Sequence, residues 1–206
     1  MTIHYHEGDL PDGLDLGAVV AIDSETMGLR FGRDDLCVVQ LSAGDGDAHV
    51  VRLNRPAYDC LNLKALLIDA KVLKLFHFGR FDIGMFLLHL GVVTAPVYCT
   101  KIASKLARTY TDRHGLKDLV RELIAVDISK AQQSSDWGAQ TLTPEQLAYA
   151  ASDVLHLHAL REKLDTMLAR EGRAELAQGC FDFLPHRVKL DLAGWEDTDI
   201  FAHSWS

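Results

Sequence analysis

The feature that most constrains the fold of this chain is an apolar run, Ala18-Val19-Val20-Ala21-Ile22, that ends in Asp23-Ser24-Glu25. A Gly-containing turn follows, and this pattern predicts a buried strand. Residues i and i+2 of a strand point to the same side, so Asp23 and Glu25 present their carboxylates together. Adjacent carboxylates repel, and a divalent cation with a preference for oxygen ligands, Mg²⁺ or Mn²⁺, would hold both ionised. A simple solvated pair is the alternative.

Two later segments place further polar side chains near the ends of predicted elements. The stretch before Asp82 is apolar and predicts a strand, so Asp82 falls in the first turns of the next helix. Residues 144–170 predict one long helix, because Thr143 is a favourable N-cap. Tyr149 and Asp153 are four residues apart and share one face of that helix. Taken alone, Asp82 is an acid favoured by the helix dipole, and Tyr149 is a half-buried aromatic.

The composition indicates an ordinary globular protein. With 206 residues, of which 48% are hydrophobic, the chain predicts a single domain over 1–206, with a core at 18–170 and a C-terminal helix and tail at 171–206. Its N-terminus lacks the pattern of a signal peptide, and no apolar run is long enough to span a membrane. Single, scattered cysteines argue against a zinc site and predict reduced thiols in the cytoplasm: Cys37, Cys60, Cys99 and Cys180.

The charge is acidic overall but unevenly distributed. The net charge is −8, yet residues 71–130 carry ten Lys/Arg against five Asp/Glu, and the remainder carries eleven against twenty-four. This basic segment is either a solvated helix surface or a locally positive approach to the carboxylates. The acidic balance disfavours binding along many phosphates and fits a very short oligonucleotide better than a long duplex.

The order of predicted elements indicates an α/β fold. Turn residues after the first strand predict two consecutive hairpins, and alternating helices and strands follow. This order predicts a mixed five-stranded sheet flanked by helices. The predicted strands lie near 18–23, 36–42, 47–53, 72–77 and 97–99, and the predicted helices cover 58–69, 79–90, 100–109, 115–124, 143–170 and 173–182.

In this order, Asp23, Glu25, Asp82, Tyr149 and Asp153 resemble the motifs of the DEDD exonuclease superfamily, in its tyrosine-containing branch. The segment from residue 130 to 154 resembles the third exonuclease motif of ribonuclease D. The resemblance covers about residues 18 to 170. It implies a ribonuclease H-like fold, with the metal site at the sheet's edge near the end of the first strand and the neighbouring helices.

The first motif continues as Asp23-Ser24-Glu25-Thr26-Met27-Gly28-Leu29, and with the acidic balance it resembles the NrnC (nanoRNase C) type of bacterial oligoribonuclease. That resemblance implies a 3′–5′ exoribonuclease that cleaves very short single-stranded RNA, especially dinucleotides, to nucleoside 5′-monophosphates at the end of RNA decay. It also implies a homo-oligomer, expected to be an octameric ring. The acidic, aromatic C-terminal tail is expected either to fray or to dock on another subunit.

The superfamily resemblance implies two divalent metal ions, Mg²⁺ or Mn²⁺, held by four carboxylates. Asp23 would bridge both ions, and Glu25 and Asp153 would complete the site of the attacking water. Asp82 would support the second ion through water. Tyr149 would orient the attacking water, because a phenol with an ordinary pKa near 10 is a poor base at neutral pH.

The turn after Glu25 is expected to hold the substrate. Gly28 permits close backbone approach, and Leu29 is expected to insert between two bases, with core packing as the alternative. Further candidate substrate-binding residues are Thr26, Met27, His77, Phe81, Gln133, Ser135 and Trp137. His77 has an alternative as a structural histidine, and Trp137 has an alternative as a residue that only locks its loop.

Two other functions remain open from the sequence. The first is a broader ribonuclease D-like exonuclease that trims RNA or DNA 3′ ends, which predicts basic accessory surfaces. The second is a nucleic-acid-binding relative without catalysis, which predicts the loss of a carboxylate. All four carboxylates are present here, together with Tyr149.

Overall fold

A computed structural model describes residues 1–129, 131–132 and 134–203. Six strands form one sheet: β1 (Ile3–Glu7), β2 (Val19–Thr26), β3 (Leu36–Ser42), β4 (Ala48–Arg52), β5 (Leu73–Phe76) and β6 (Val97–Cys99). Their order across the sheet is β1-β4-β3-β2-β5-β6, so β2 lies in the interior of the sheet. The carboxylates that follow its apolar run are thereby brought to the middle of the molecule.

Seven α-helices accompany the sheet in the part of the chain that the structure describes: α1 (Leu61–Ile68), α2 (Arg80–Met85), α3 (Thr100–Ala107), α4 (Leu116–Ile124), α5 (Pro144–Leu155), α6 (Leu157–Arg170) and α7 (Ala174–Leu190). Two π-helical turns continue α2 and α7, at Phe86–Leu90 and Asp191–Trp195. None of these helices is long and apolar enough to cross a membrane.

The pairing of the strands is mixed. β2, β3 and β4 are antiparallel neighbours, which confirms the two predicted hairpins. β5 pairs with β2 and β6 pairs with β5 in parallel, as helical crossovers require. The predicted α/β, ribonuclease H-like fold is confirmed, with a sixth strand added to the sheet: β1 pairs in parallel with β4.

Apolar side chains cover both faces of the sheet, and β3 is buried along its whole length. The larger cluster packs the sheet against α6, α7 and the shorter helices. A smaller cluster on the other face joins β3 and β4 to α5, through Cys37, Val38, Val50, Trp137, Leu142 and Ala150. This second cluster fixes α5 against the strands, and α5 carries the polar side chains of the third motif.

Two predicted helices differ from the observed ones. The segment predicted as a single helix is two, because the regular helix is interrupted at His156, whose φ of −105° and ψ of −5° depart from ideal helical values. α7 continues through Pro185 to Leu190, well beyond the predicted end at 182. Proline removes one backbone hydrogen bond there, and burial of apolar side chains on both sides, among them Phe181 and Val188, offsets that loss.

Candidate active site

The end of β2 presents its two acidic side chains to α5, as the alternation of the strand predicts. One carboxylate oxygen each from Asp23, Glu25 and Asp153 lies within 4.8 Å of the others. Gln40, on the neighbouring strand β3, donates from Nε2 to Asp23 Oδ2 at 2.7 Å and to Glu25 Oε1 at 3.4 Å. A strand and a helix that are distant in sequence therefore build one oxygen-rich site.

Asp82 approaches the same site from α2. Its side chain is buried, with 4% of the residue exposed, and lies in the first turn of that short helix. Ser24, between the two acids of β2, donates from Oγ to Asp82 Oδ1 at 2.6 Å. That hydrogen bond ties the helix to the strand and holds the fourth carboxylate beside the other three.

The start of α5 is fixed by a capping box, as the sequence predicts for Thr143. The Gln146 backbone N–H donates to Thr143 Oγ1 at 3.2 Å, and the Thr143 N–H donates to Gln146 Oε1 at 2.8 Å. Tyr149 and Asp153 then follow on one face. The Tyr149 ring packs against Trp137, with centroids 6.0 Å apart, which orients the phenol toward the carboxylates.

Burial and mutual repulsion raise the pKa values of these acids. Burial, followed by the charges of Asp82, Asp153 and Glu25, holds the pKa of Asp23 well above its ordinary range. Burial and the charge of Asp153 raise the pKa of Glu25 to about 9. Burial raises the pKa of Asp82 to about 7, although the Ser24 hydrogen bond opposes that shift. Among the described residues, no lysine or arginine forms an ion pair with Asp23, Glu25 or Asp82.

The phenol of Tyr149 is also shifted. Burial, followed by the charges of Asp153 and Glu25, raises its pKa above the ordinary value, and a hydrogen bond with Asp153 adds to the shift. A phenol with a raised pKa stays protonated at neutral pH and acts as a hydrogen-bond donor. It can orient a water molecule but cannot deprotonate one.

The four carboxylates and Tyr149 line a cavity of about 650 Å³, together with the substrate turn, residues 26–29. Leu29 lies at the edge of this cavity and is 81% exposed, so the alternative that its side chain packs in the core is wrong. Thr26 Oγ1 donates to the carbonyl of Gly28 at 2.5 Å and tightens the turn. A Cβ atom on Gly28 would collide with the Asp34 carboxylate, which the Arg30 backbone N–H and the Arg33 side chain hold in place, so a larger residue would have to displace that carboxylate.

The other predicted substrate residues fall into three groups. His77, Phe81 and Ser135 line the cavity. Trp137 does not line it: the residue is 2% exposed in the smaller apolar cluster, which favours the loop-locking alternative. Gln133 lies outside the described residues.

The sequence reasoning did not single out Phe78 and Lys101, which also line the cavity. Phe78 is 45% exposed and has a φ of 68°, a left-handed conformation that is strained for a bulky residue. Lys101 Nζ lies 4.2 Å from the centre of its ring. The available signal in the sequence was an aromatic residue directly after His77, but the left-handed backbone that presents its ring to the cavity is visible only in the structure.

Comparison with known proteins agrees with this geometry. A family model described as 3′-5′ exonuclease matches residues 10–169. Ribonuclease D of Gluconacetobacter diazotrophicus is 39% identical over 156 residues, which are 76% of this chain and 39% of the relative. The chain spans about two fifths of the length of the first curated relatives it matches.

Solved structures extend the likeness over nearly the whole chain. NrnC of Brucella melitensis with bound Mg²⁺ is 53% identical, with a TM-score of 0.95, and the match covers 99% of this chain and 100% of that one. The same protein bound to pGG matches at 54% identity with the same TM-score and coverage. RNase D of Escherichia coli matches at 25% identity and a TM-score of 0.73, over 87% of this chain and 48% of that one.

The fold and the site thus define a 3′–5′ exonuclease of the ribonuclease H-like class, and the chain belongs to the 3′-5′ exonuclease family. Within that family it is similar to ribonuclease D and to NrnC. The predicted resemblance and the predicted class of enzyme are confirmed.

Proposed function

We propose that this protein is a divalent-metal-dependent 3′–5′ exoribonuclease that hydrolyses very short single-stranded RNA, especially dinucleotides, to nucleoside 5′-monophosphates at the end of RNA decay, in the cytoplasm. The observation that carries the proposal is the meeting of Asp23, Glu25 and Asp153 beside an exposed apolar turn in one cavity. The structures of NrnC with Mg²⁺ and with pGG support the same chemistry for a similar protein.

The residues present fit Mg²⁺ or Mn²⁺. The cluster offers hard oxygen ligands, which those ions prefer over nitrogen or sulfur. Burial raises the pKa values of these acids, with repulsion between carboxylates adding to the shift at Asp23 and Glu25, and two divalent ions would balance the four carboxylates, which supports a metal site. We assign Asp23, Glu25, Asp153 and Asp82 as the residues that hold the metal. When bound, divalent ions supply an activated water and neutralise charge on the phosphate.

The chain's own groups then orient the reactants. The single O–H of Tyr149 donates to Asp153, and once that carboxylate binds metal the same O–H can turn to the attacking water and align it with the scissile phosphorus. Gln40 holds the carboxylates of Asp23 and Glu25 in a fixed relation through Nε2. These contacts preorganise the site before substrate enters, which lowers the reorganisation needed for reaction.

Three features favour a short substrate. Leu29 projects from the substrate turn and can separate two bases, as an apolar wedge. Phe78 offers a ring for stacking, and base–aromatic stacking contributes about 1–3 kcal/mol per base. Lys101 and Lys117 are the cations that line the cavity among the described residues, so few phosphates can be contacted there.

Assembly into a homo-oligomer, with an octameric ring as the specific expectation, is part of the proposal. The tail up to residue 203 packs on α7 of its own chain: the rings of Phe183 and Phe201 lie 6.0 Å apart. Phe201 nevertheless remains 77% exposed, and Trp195 and Ile200 are also exposed, which leaves an apolar surface for a second copy. Deletion from Trp195 onward should reduce the size of the oligomer or the affinity for dinucleotides, as measured by light scattering and by binding.

A length series tests the proposed substrate. Purified protein with Mg²⁺ or Mn²⁺ is incubated with 5′-labelled RNAs of two to twenty nucleotides, and initial rates are compared. We expect the highest rate for the dinucleotide and a shallow dependence of binding on salt, on the order of one to three phosphate contacts. The Asp23→Asn protein, purified in parallel, controls for contaminating nuclease.

The same series decides the second candidate function. The ribonuclease D relatives favour a broader exonuclease that trims longer 3′ ends. A twenty-nucleotide RNA degraded faster per enzyme than a dinucleotide would support that function and contradict the dinucleotide preference.

A further inference from the structure

An ion-pair network around a buried carboxylate joins the C-terminal helix to the helix that carries Asp82. Arg80 is the first residue of α2, and Asp191 directly follows α7. Arg80 donates from Nε to Asp191 Oδ2 at 2.5 Å and from Nη2 to Oδ1 at 2.8 Å. Arg187, one turn earlier on α7, places Nη2 at 3.1 Å from Asp191 Oδ1. The Asp191 side chain, which is 0% exposed, is therefore shared by two guanidinium groups.

The same two arginines hold the chain that follows α7. Arg80 Nη2 donates to the carbonyl of Glu196 at 2.9 Å. Arg187 donates to the carbonyls of Trp195, Glu196 and Thr198 at 3.0, 2.6 and 3.1 Å. Residues 191–198 thus pack against both guanidinium groups, which remain 34% and 21% exposed, and hold them through charge-assisted hydrogen bonds.

The first turn of α2 needs support from outside the helix. α2 has six residues and its π-helical continuation five, and an isolated helix of that combined length is only marginally stable. Gly79, its N-cap, supplies no side-chain hydrogen bond, and the preceding residue, Phe78, is strained. Arg80 and Asp82 lie in this same turn, so the ion pair of Arg80 restrains the backbone that carries Asp82.

We propose that Arg80 and Asp191 are positioning residues, which act through the first turn of α2 to hold the Asp82 carboxylate beside Asp23. The inference rests on the proposed function, in which Asp82 supports one of two metal ions. Removal of a partner that orients a metal ligand commonly weakens metal binding 10–100-fold. We therefore expect Asp191→Asn to weaken one bound ion about tenfold and to leave the ion held by Asp23, Glu25 and Asp153 unchanged.

The test measures metal binding without substrate. Full-length wild type, Asp191→Asn and Arg80→Lys are titrated with Mn²⁺, and free Mn²⁺ is followed by electron paramagnetic resonance. Arg80→Lys keeps the positive charge but loses the bidentate geometry, so it remains informative if Asp191→Asn folds poorly. Both variants should weaken only the weaker of two Mn²⁺ sites. Leu168→Ala, a buried change in α6, is the control for a general loss of stability.

A second measurement requires no metal. Amide hydrogen exchange of residues 80–85 in the metal-free protein should accelerate in Asp191→Asn, relative to wild type and Leu168→Ala, while exchange in α5 stays the same. Unchanged exchange in α2, or equal weakening of both Mn²⁺ sites, would overturn the positioning role. Absence of Mn²⁺ binding in the wild type would instead contradict the proposed function, and hydrogen exchange in α2 would then decide alone whether Arg80 and Asp191 position its first turn.

Discussion

Two buried carboxylate sites share helix α2 and differ in how their charge is balanced. Asp191 receives three contacts from the guanidinium groups of Arg80 and Arg187. Among the described residues, the side chains that donate to Asp23 and Asp82 are the neutral Gln40 and Ser24, and the pKa values of both acids are raised. The charge of Asp191 is therefore balanced by arginines, whereas the site of Asp23 and Asp82 lacks positive charge.

This difference separates a structural role from a chemical one. A buried anion is stable when a cation faces it, and otherwise it takes up a proton or binds a metal. The Asp191 site, whose charge is balanced by arginines, therefore joins two parts of the fold. The site of Asp23 and Asp82, which lacks such cations, is suited to bind divalent ions. Local composition does not distinguish Asp82 from Asp191, because each is an aspartate near apolar residues, and only the order of the motifs singles out Asp82.

The largest expected effect comes from the carboxylate cluster around Asp23. Asp23→Asn should lower the rate of hydrolysis by at least about 10³-fold, because it removes a ligand at the centre of the cluster. Metal-free stability should rise, since repulsion among the acids falls. Initial rates and thermal unfolding in EDTA measure the two effects. Near-normal activity of Asp23→Asn would contradict the claim that the site around Asp23, unlike that around Asp191, has a chemical role.

Tyr149→Phe should lower kcat on the order of 10²-fold and leave substrate affinity nearly unchanged, because the ring still packs and only the hydroxyl is lost. Single-turnover kinetics and equilibrium binding separate these quantities. Tyr98→Phe is a matched control, since Tyr98 also donates to a carboxylate, Asp165 at 2.8 Å, but does not line the cavity. Lower affinity with an unchanged kcat would make Tyr149 a binding residue.

Leu29→Ala should weaken dinucleotide binding about tenfold, because the side chain supplies apolar contact with bases and is not needed for the fold. Leu61→Ala provides the control, as Leu61 is 74% exposed on α1, outside the cavity. Fluorescence anisotropy with a labelled dinucleotide compares the two variants. Equal affinities of the two variants would contradict the proposed role of Leu29 in separating two bases.

The smallest effect is the dependence of metal-free stability on pH. The folded pKa values of about 7 for Asp82 and about 9 for Glu25 exceed their ordinary values near 4. Their contribution to stability is thus complete below about pH 4 and is lost as pH rises through 7 to 9. Thermal unfolding in EDTA should show this loss, and Asp82→Asn should show less of it. If the unfolding midpoint of the wild type falls with rising pH no more than that of Asp82→Asn, the raised pKa of Asp82 is contradicted.

Local patterns predicted much of the fold. The apolar run before Asp23, the two hairpins and the N-cap at Thr143 depend on neighbours in sequence, and the structure agrees with each. β1 was not predicted, because its five residues, Ile3–Glu7, alternate weakly and pair with a distant strand. The break at His156 has no glycine or proline to mark it.

The candidate site was predicted to a similar extent. Motif order named the carboxylates and Tyr149, and the structure brings them into one cavity. Phe78 was missed because its exposure depends on a left-handed backbone, and the link between Arg80 and Asp191 was missed because 111 residues separate its partners. Both depend on tertiary structure, which periodicity and capping signals do not contain.

The most direct test of the central claim is the anomalous scattering of Mn²⁺ in crystals of the wild-type protein grown with Mn²⁺ and a non-hydrolysable dinucleotide. We predict one Mn²⁺ in contact with Asp23, Glu25 and Asp153, a second near Asp82, and none at Asp191. Crystals with a bound dinucleotide but no Mn²⁺ in contact with Asp23 would contradict the claim that the carboxylates without cation partners form the metal centre.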